Sequence, residues 1–185
     1  NGDIGRTHYV QTVNLAVQVF NINGTPLTAP FKMSSLFTAL GASNICATDD
    51  DGAPLGLDDH LADRWFISQF ALTSPFHQCI AVSQTGDATG AYYVYDFVMP
   101  NNFANDYPHF GVWPDAYYMT DNQFNASLTA FTGAGVCAYD RSKMLVGDPT
   151  ATYIYFDQPA ALGIGGQLPS DLDGPPPPAG TGNIF

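Results

Sequence analysis

Two long segments of this chain read as copies of each other, and that internal repeat constrains the fold more than any single residue. Each copy holds an aromatic strand ending in Gln-Phe, a second apolar strand, a Gly-Asp-x-Thr turn and a Tyr-x-Tyr strand; the copies are RWFISQFALTSPFHQCIAVSQTGDATGAYYVYDF from Arg64 and AYYMTDNQFNASLTAFTGAGVCAYDRSKMLVGDPTATYIYFD from Ala116. Phe70 and Phe124 are 54 residues apart. A weaker third copy, THYVQTVNLAVQVFNINGTPL, places Phe20 fifty residues before Phe70.

Repeats of this length, built from short strands and Gly/Asp turns, are typical of β-propeller blades. We therefore predict an all-β fold of roughly three and a fraction antiparallel blades. The predicted divisions are a first blade with its loop, a second blade, a third blade, and a Pro/Gly-rich connection into a further blade or a linker: 1–48, 49–105, 106–160 and 161–185. Because propeller rings have about 4–8 blades, we expect these blades to belong to a larger ring, in a longer chain or through association.

The charge of the chain limits its partners. All seventeen acidic residues are Asp, and only five Lys and Arg oppose them, so the formal net charge is −12. Binding to nucleic acid or to an anionic membrane surface requires clustered basic residues, which this chain lacks. The sequence also has no apolar run of about 20 residues that would cross a membrane. An acidic chain rich in Tyr, Asn, Thr and Gly favours a secreted, extracellular β protein.

Three cysteines are present, at positions 46, 79 and 137, and their spacing matches no metal motif. If the compartment is oxidising, we expect a disulfide between Cys46 and Cys79. Cys137 lies in the alternating segment GVCAYD, where a buried strand thiol is the ordinary explanation. Three buried free thiols are the alternative.

The densest group of carboxylates is a candidate calcium site, because Ca²⁺ takes 6–8 oxygen ligands. It consists of Asp49, Asp50, Asp51, Asp58 and Asp59. A solvated acidic loop is the alternative. The two Gly-Asp-x-Thr turns, at Asp87 and Asp148, are predicted to be structural Asx turns, in which the carboxylate accepts from nearby backbone amides.

The segment DYPHFGVWPDAYY is the candidate ligand site. It would begin the inner strand of a blade and face a central channel, where carboxylates, an imidazole and an indole could bind a sugar or a cation. The candidate residues are Asp106, His109, Trp113 and Asp115, with His8 as a neighbour from the first copy. The alternative for Trp113 is packing between two sheets.

Known catalytic patterns are missing from the sequence. There is no Glu, so a His-Glu-x-x-His zinc helix is excluded, and neither Gly-x-Ser-x-Gly nor a P-loop occurs. Two Asp could perform glycoside hydrolysis, but nothing in the sequence selects the pair. Whether the chain is an enzyme is left open, with the balance toward no.

Several segments resemble a family of large, secreted, mostly uncharacterised bacterial proteins with a β-propeller-like domain. They span nearly the whole chain: NGDIGRTHYVQTVN, DHLADRWFISQFAL, CIAVSQTGDATGAYYVYDF, DYPHFGVWPDAYYMTDNQF and LPSDLDGPPPPAG. The resemblance implies export and the beginning of a longer domain, without an established activity. This chain departs from the family where Gly52-Ala53-Pro54 replaces Gly-Asp-Pro, so no ligand role is carried over to Ala53.

Three functions follow as hypotheses. The first is an extracellular binding or structural module that presents loops to a glycan or a protein partner. The second is a glycosidase or sialidase-like hydrolase with Asp115 among its acids. The third is a self-assembling structural protein that pairs through the edges of its blades.

Overall fold

The computed structural model describes all residues 1–185 and is all-β, with twelve strands in three antiparallel sheets of four strands each. Sheet A contains β1 Gly2–Ile4, β2 His8–Val13, β3 Ala16–Asn21 and β4 Phe31–Lys32. Sheet B contains β5 Gly52–Asp59, β6 Arg64–Ala71, β7 His77–Ser83 and β8 Tyr92–Val98. Sheet C contains β9 Ala104–Val112, β10 Tyr117–Phe124, β11 Phe131–Tyr139 and β12 Tyr153–Pro159. Within each sheet the strands follow one another in chain order.

Helices are few and short. The α-helices are α1, Ile45–Thr48, and α2, Arg141–Met144; the 3₁₀ helices are Met33–Leu40, Pro100–Asn102 and Ala160–Leu162. The Asn44 side chain begins α1 by accepting a hydrogen bond from the Cys46 N–H, as an N-cap residue does. No helix is both long and apolar enough to cross a membrane.

The three sheets stack face to face, with sheet B in the middle. One apolar core lies between sheets A and B and contains Val10, Val19, Trp65 and Ile67. A second core lies between sheets B and C and contains Phe66, Ile80, Phe110, Tyr117 and Tyr139. Because sheet B is covered on both faces, β6 is buried at every residue after Arg64. It therefore lacks the alternation of buried and exposed residues that a sheet with one solvent-facing side shows.

The first strands of the three sheets lie side by side, since β5 contacts both β1 and β9. Side chains satisfy the backbone at this inner edge. Asn1 Oδ1 accepts from the Gly56 N–H at 3.0 Å, and Asp3 Oδ2 accepts from the Asp58 N–H at 2.8 Å. On β9, Asp171 Oδ1 accepts from the Val112 N–H at 2.7 Å. The bonds of Asn1 and Asp3 hold the beginning of the chain against β5 without a backbone ladder between the sheets, and the bond of Asp171 holds the C-terminal segment on β9.

The prediction of an all-β fold of antiparallel sheets is confirmed, and the structure shows that each of the three sheets has four strands. The sheets do not form a closed ring, so the propeller itself remains a proposal. The expected division between residues 105 and 106 falls inside β9, because that strand begins at Ala104.

The C-terminal segment, 163–185, lies against sheet C. The Thr120 hydroxyl donates to the Gln167 carbonyl, and Trp113 Nε1 donates to the Thr181 carbonyl.

Candidate ligand-binding cleft

The structure does not bring the candidate ligand residues of β9 together. A strand advances about 3.3 Å per residue, so residues at its two ends cannot share one mouth. Asp106 lies near the beginning of β9 and lines a cleft with Leu72 and Phe124. Trp113 and Asp115 follow the other end and line a different cleft, against the Pro176–Gly182 segment. The four candidates of this segment therefore line separate clefts, and ligand binding by them stays a prediction.

Three of the candidate ligand residues, Trp113, Asp115 and His8, contact other residues of the chain. Trp113 is 8% exposed and packs beneath the C-terminal segment, which agrees with the packing alternative. Asp115 Oδ2 accepts from the Tyr118 hydroxyl at 3.1 Å. His8 Nε2 lies 3.7 Å from Oδ1 of Asp87, which is in the turn between β7 and β8 of sheet B. Ligand binding by these residues stays a prediction.

His109 lies in a cleft of about 500 Å³ to which all three sheets contribute. We call it the axial cleft, because it opens where the first strands meet. Its lining residues are Asn1, Thr12, Val13, Asn14, Ala53, Pro54, Leu55, Tyr107, Pro108 and His109.

Two residues of the axial cleft have strained backbones, and they occupy equivalent positions. Ala53 has φ 45° and Tyr107 has φ 55°, and each directly precedes a proline. A residue before proline normally adopts extended geometry, and a positive φ is uncommon for any residue except glycine. Both lie at register shifts where β5 and β9 pair with their neighbours. Strain of this kind is concentrated at functional sites.

Three lining residues of the axial cleft, His109, Tyr107 and Asn14, present uncharged polar side chains that are available to a ligand. Tyr107 is 52% exposed, and its ring centroid lies 4.2 Å from that of His109 in an edge contact. Burial lowers the pKa of His109, so the imidazole is uncharged at neutral pH. The side chain of Asn14 lies against Gly52 and forms no hydrogen bond within the chain. An imidazole, a phenol and an amide are therefore presented together.

No carboxylate lines the axial cleft. Glycoside hydrolysis in most families requires two carboxyl groups on either side of the scissile bond. The cleft can therefore bind a polar ligand, but its residues do not supply that acid and nucleophile.

The candidate calcium ligands point to separate partners. Asp50 accepts from the Ser34 N–H and hydroxyl and pairs with Lys32 at 3.3 Å. Asp49 accepts from the Thr73 hydroxyl, and Asp51 accepts from the Leu72 N–H. No group of three or more His, Cys or Asp side chains is placed to hold a metal. Calcium binding stays a prediction, which melting with and without EDTA would check.

The other two aspartates of that group lie at the end of β5. Burial, and next the repulsion from Asp3, raises the pKa of Asp58 to about 6. Asp59 is fully buried and binds both Arg141 and the Tyr117 hydroxyl. Sequence reasoning missed this cluster, because Arg141 lies 82 residues from Asp59 along the chain.

The cysteines and the two Gly-Asp-x-Thr turns have the arrangement expected from the sequence. Cys46 and Cys79 form a disulfide and Cys137 is free and buried. Asp87 accepts from the N–H and hydroxyl of Thr89, and Asp148 does the same with Thr150. The structural interpretation of both turns is confirmed.

Comparison with protein-family models, curated proteins and solved structures gives no match for this chain. The geometry of the chain itself is therefore the basis for a functional proposal.

Sequence reasoning found His109 but missed Asn14 and Tyr107, which also line the axial cleft. A signal was present, because Ala53-Pro54 and Tyr107-Pro108 are separated by the 54 residues that separate Phe70 from Phe124.

Proposed function

We propose that this chain is an extracellular, propeller-like binding module whose axial cleft holds a polar, uncharged ligand of the carbohydrate class. The observation that carries the proposal is the pair of strained residues, Ala53 and Tyr107, in a cleft built by all three sheets. Each strained residue costs of order 1–3 kcal/mol and persists only where its surroundings enforce it.

The chemistry of the cleft supports this ligand class. The neutral His109 imidazole and the Asn14 amide donate and accept hydrogen bonds, as sugar hydroxyls require. The exposed ring of Tyr107 offers an apolar surface for a sugar face, with a hydroxyl at its end. A charged ligand would find no charged side chain in the lining.

Two further features support an extracellular location. Disulfides persist in oxidising compartments, and Cys46–Cys79 is a disulfide. The net charge of −12 also suits a soluble protein that avoids nucleic acid and anionic membranes.

The experiment is a glycan array followed by calorimetry on the glycans that bind. Tyr107→Ala and His109→Ala should each weaken binding at least tenfold. The matched controls are Tyr118→Ala and His60→Ala, because neither residue lines the axial cleft. Failure of every glycan to bind, or unchanged affinity in the two cleft variants, would overturn the proposal.

One observation favours assembly as a second function. On the face of sheet C that points away from sheet B, Ile154 is 62% exposed and Phe156 is 57% exposed. Val136, which pairs with Phe156, is only 9% exposed, so Ile154 and Phe156 on β12 form the exposed apolar surface. If the face packs on another sheet, light scattering should show an oligomer that Ile154→Asp with Phe156→Asp converts to a monomer.

A further inference from the structure

We propose that the outer edge of β8 binds an extended segment of a partner protein, which adds to sheet B as a fifth strand. This second binding site is independent of the axial cleft. The open strand edge would bind the backbone of the partner segment. The residues on either side of this edge would select the partner's side chains.

The hydrogen-bond pattern of sheet B leaves one side of β8 open. The Met99 N–H donates to the Phe76 carbonyl, and the Gln84 N–H donates to the Ala91 carbonyl, so odd-numbered residues from 91 to 99 face β7. The N–H and C=O groups of Tyr92, Val94 and Asp96 therefore point away from the sheet. None of them takes part in a hydrogen bond within the chain.

This open edge lies in a groove of about 330 Å³. On the side of sheet A, the groove is bounded by Leu40, at the end of a 3₁₀ helix. On the side of sheet C, it is bounded by the loop that contains Gly147, Pro149 and Ala151. The loop packs closely on sheet B, because a Cβ at Gly147 would lie 2.4 Å from Cδ1 of Tyr93. Two walls beside an open strand edge are the geometry of peptide recognition by strand addition.

The other two outer edges are less suited to such pairing. In sheet A, β4 has only two residues. In sheet C, β12 ends at Pro159, which has no N–H to donate. Short edge strands and prolines are the usual means of preventing unwanted strand pairing. β8 and β12 are both seven residues long, but only β8 contains no proline. Its open length ends at Val98, whose carbonyl accepts from the Tyr153 hydroxyl at 2.6 Å.

The walls define the chemistry of the partner. Leu40 and Pro149 are apolar, so the added strand should carry apolar side chains on both of its faces. The one acidic residue that lines the groove, Asp96, already contacts His77 and accepts from the Asn44 amide. With a chain charge of −12, an acidic segment would be repelled. The partner is therefore an extended, apolar and non-acidic segment of another protein.

The test uses a display library of random nonapeptides selected against the full chain. Enriched peptides should be apolar and poor in Asp and Glu. Their affinity should fall at least tenfold with Val94→Pro, which removes an outward N–H. The matched control is Asp157→Pro on the outer edge of β12, which should leave affinity unchanged. Leu40→Asp, at the wall, should also weaken binding and leaves the strand intact.

A direct readout accompanies the variants. On adding an enriched peptide, the amides of Val94 and Asp96 should shift in NMR spectra and exchange more slowly with solvent. No enrichment, or equal binding to wild type and to folded Val94→Pro, would overturn the proposal. Concentration-dependent shifts of these amides without peptide would also overturn it, since the occupant would then be a second copy.

Discussion

Arg141 and Asp59 form a two-bond ion pair that joins sheet C to sheet B in the interior. Nε of Arg141 lies 2.7 Å from Asp59 Oδ2, and Nη2 lies 2.9 Å from Oδ1. The Tyr117 hydroxyl donates to the same Oδ2 at 2.7 Å, and Arg141 Nη1 donates to the Pro114 carbonyl. Because the ion pair is buried and both side chains are hydrogen-bonded, it fixes how sheets B and C are placed at the end of β5 opposite the axial cleft.

Breaking this pair should be costly. Arg141→Met leaves the Asp59 carboxylate buried without its cation, with only the Tyr117 hydroxyl and the Ala62 N–H as donors. Such losses cost about 3–5 kcal/mol. The double variant Asp59→Leu with Arg141→Met removes the buried charge as well, so it should be more stable than Arg141→Met alone. Urea unfolding of the three proteins measures the difference. Equal stability of wild type and Arg141→Met would contradict the buried pair.

Asp121 should make the protein less stable as the pH rises. It is 3% exposed, its Oδ1 accepts from the Gly135 N–H at 2.8 Å, and its Oδ2 has no partner. Burial raises the pKa of Asp121 from 3.8 to about 7. The folded state therefore binds more protons than the unfolded state between about pH 4 and 7, and stability falls across that range.

At about 1.4 kcal/mol for each pH unit between the two pKa values, the loss is on the order of 4 kcal/mol. Asp121→Asn keeps the acceptor for Gly135 and should remove this contribution. The measurement is the free energy of unfolding of both proteins at pH 4 and pH 8. Parallel pH profiles for wild type and variant would show that Asp121 ionises freely in the folded protein.

Removing the Cys46–Cys79 disulfide should destabilise the fold. The two residues are 33 positions apart, and a loop of that length corresponds to roughly 3–4 kcal/mol in the chain-entropy treatment. The double variant Cys46→Ser with Cys79→Ser should melt well below wild type. Cys137→Ser is the control, because the buried Cys137 thiol is free and closes no loop. The same melting temperature for the double variant and wild type would exclude a stabilising crosslink.

Gly147→Ala should be much more destabilising than Gly180→Ala. Both glycines have positive φ, 72° and 83°, so alanine strains the backbone similarly at each. A Cβ at Gly147 would also lie 2.4 Å from the Tyr93 ring, whereas a Cβ at Gly180 meets nothing within 4 Å. Thermal melting of the two variants compares them directly. If both melt alike, the loop does not pack on β8 as described.

The sequence by itself determined the all-β fold class and the local turns. The 54-residue repeat, the Gly-Asp-x-Thr turns and the alternation around Cys137 are local patterns, set by backbone preferences within a few residues. The turn at Asp87 and the strands β9 and β10 could therefore be predicted from neighbouring residues alone.

Only the tertiary structure decided which side chains share a site. Asp106 and Trp113 are close in sequence, yet an extended strand carries them into different clefts. His109 and Asn14 are distant in sequence, yet the meeting of the sheets places them in one cleft. Asp59 and Arg141 meet for the same reason, because face-to-face packing of sheets B and C brings together residues that no local pattern relates. Sheet stacking is a cooperative, long-range arrangement, and it decided both the axial cleft and the open edge of β8.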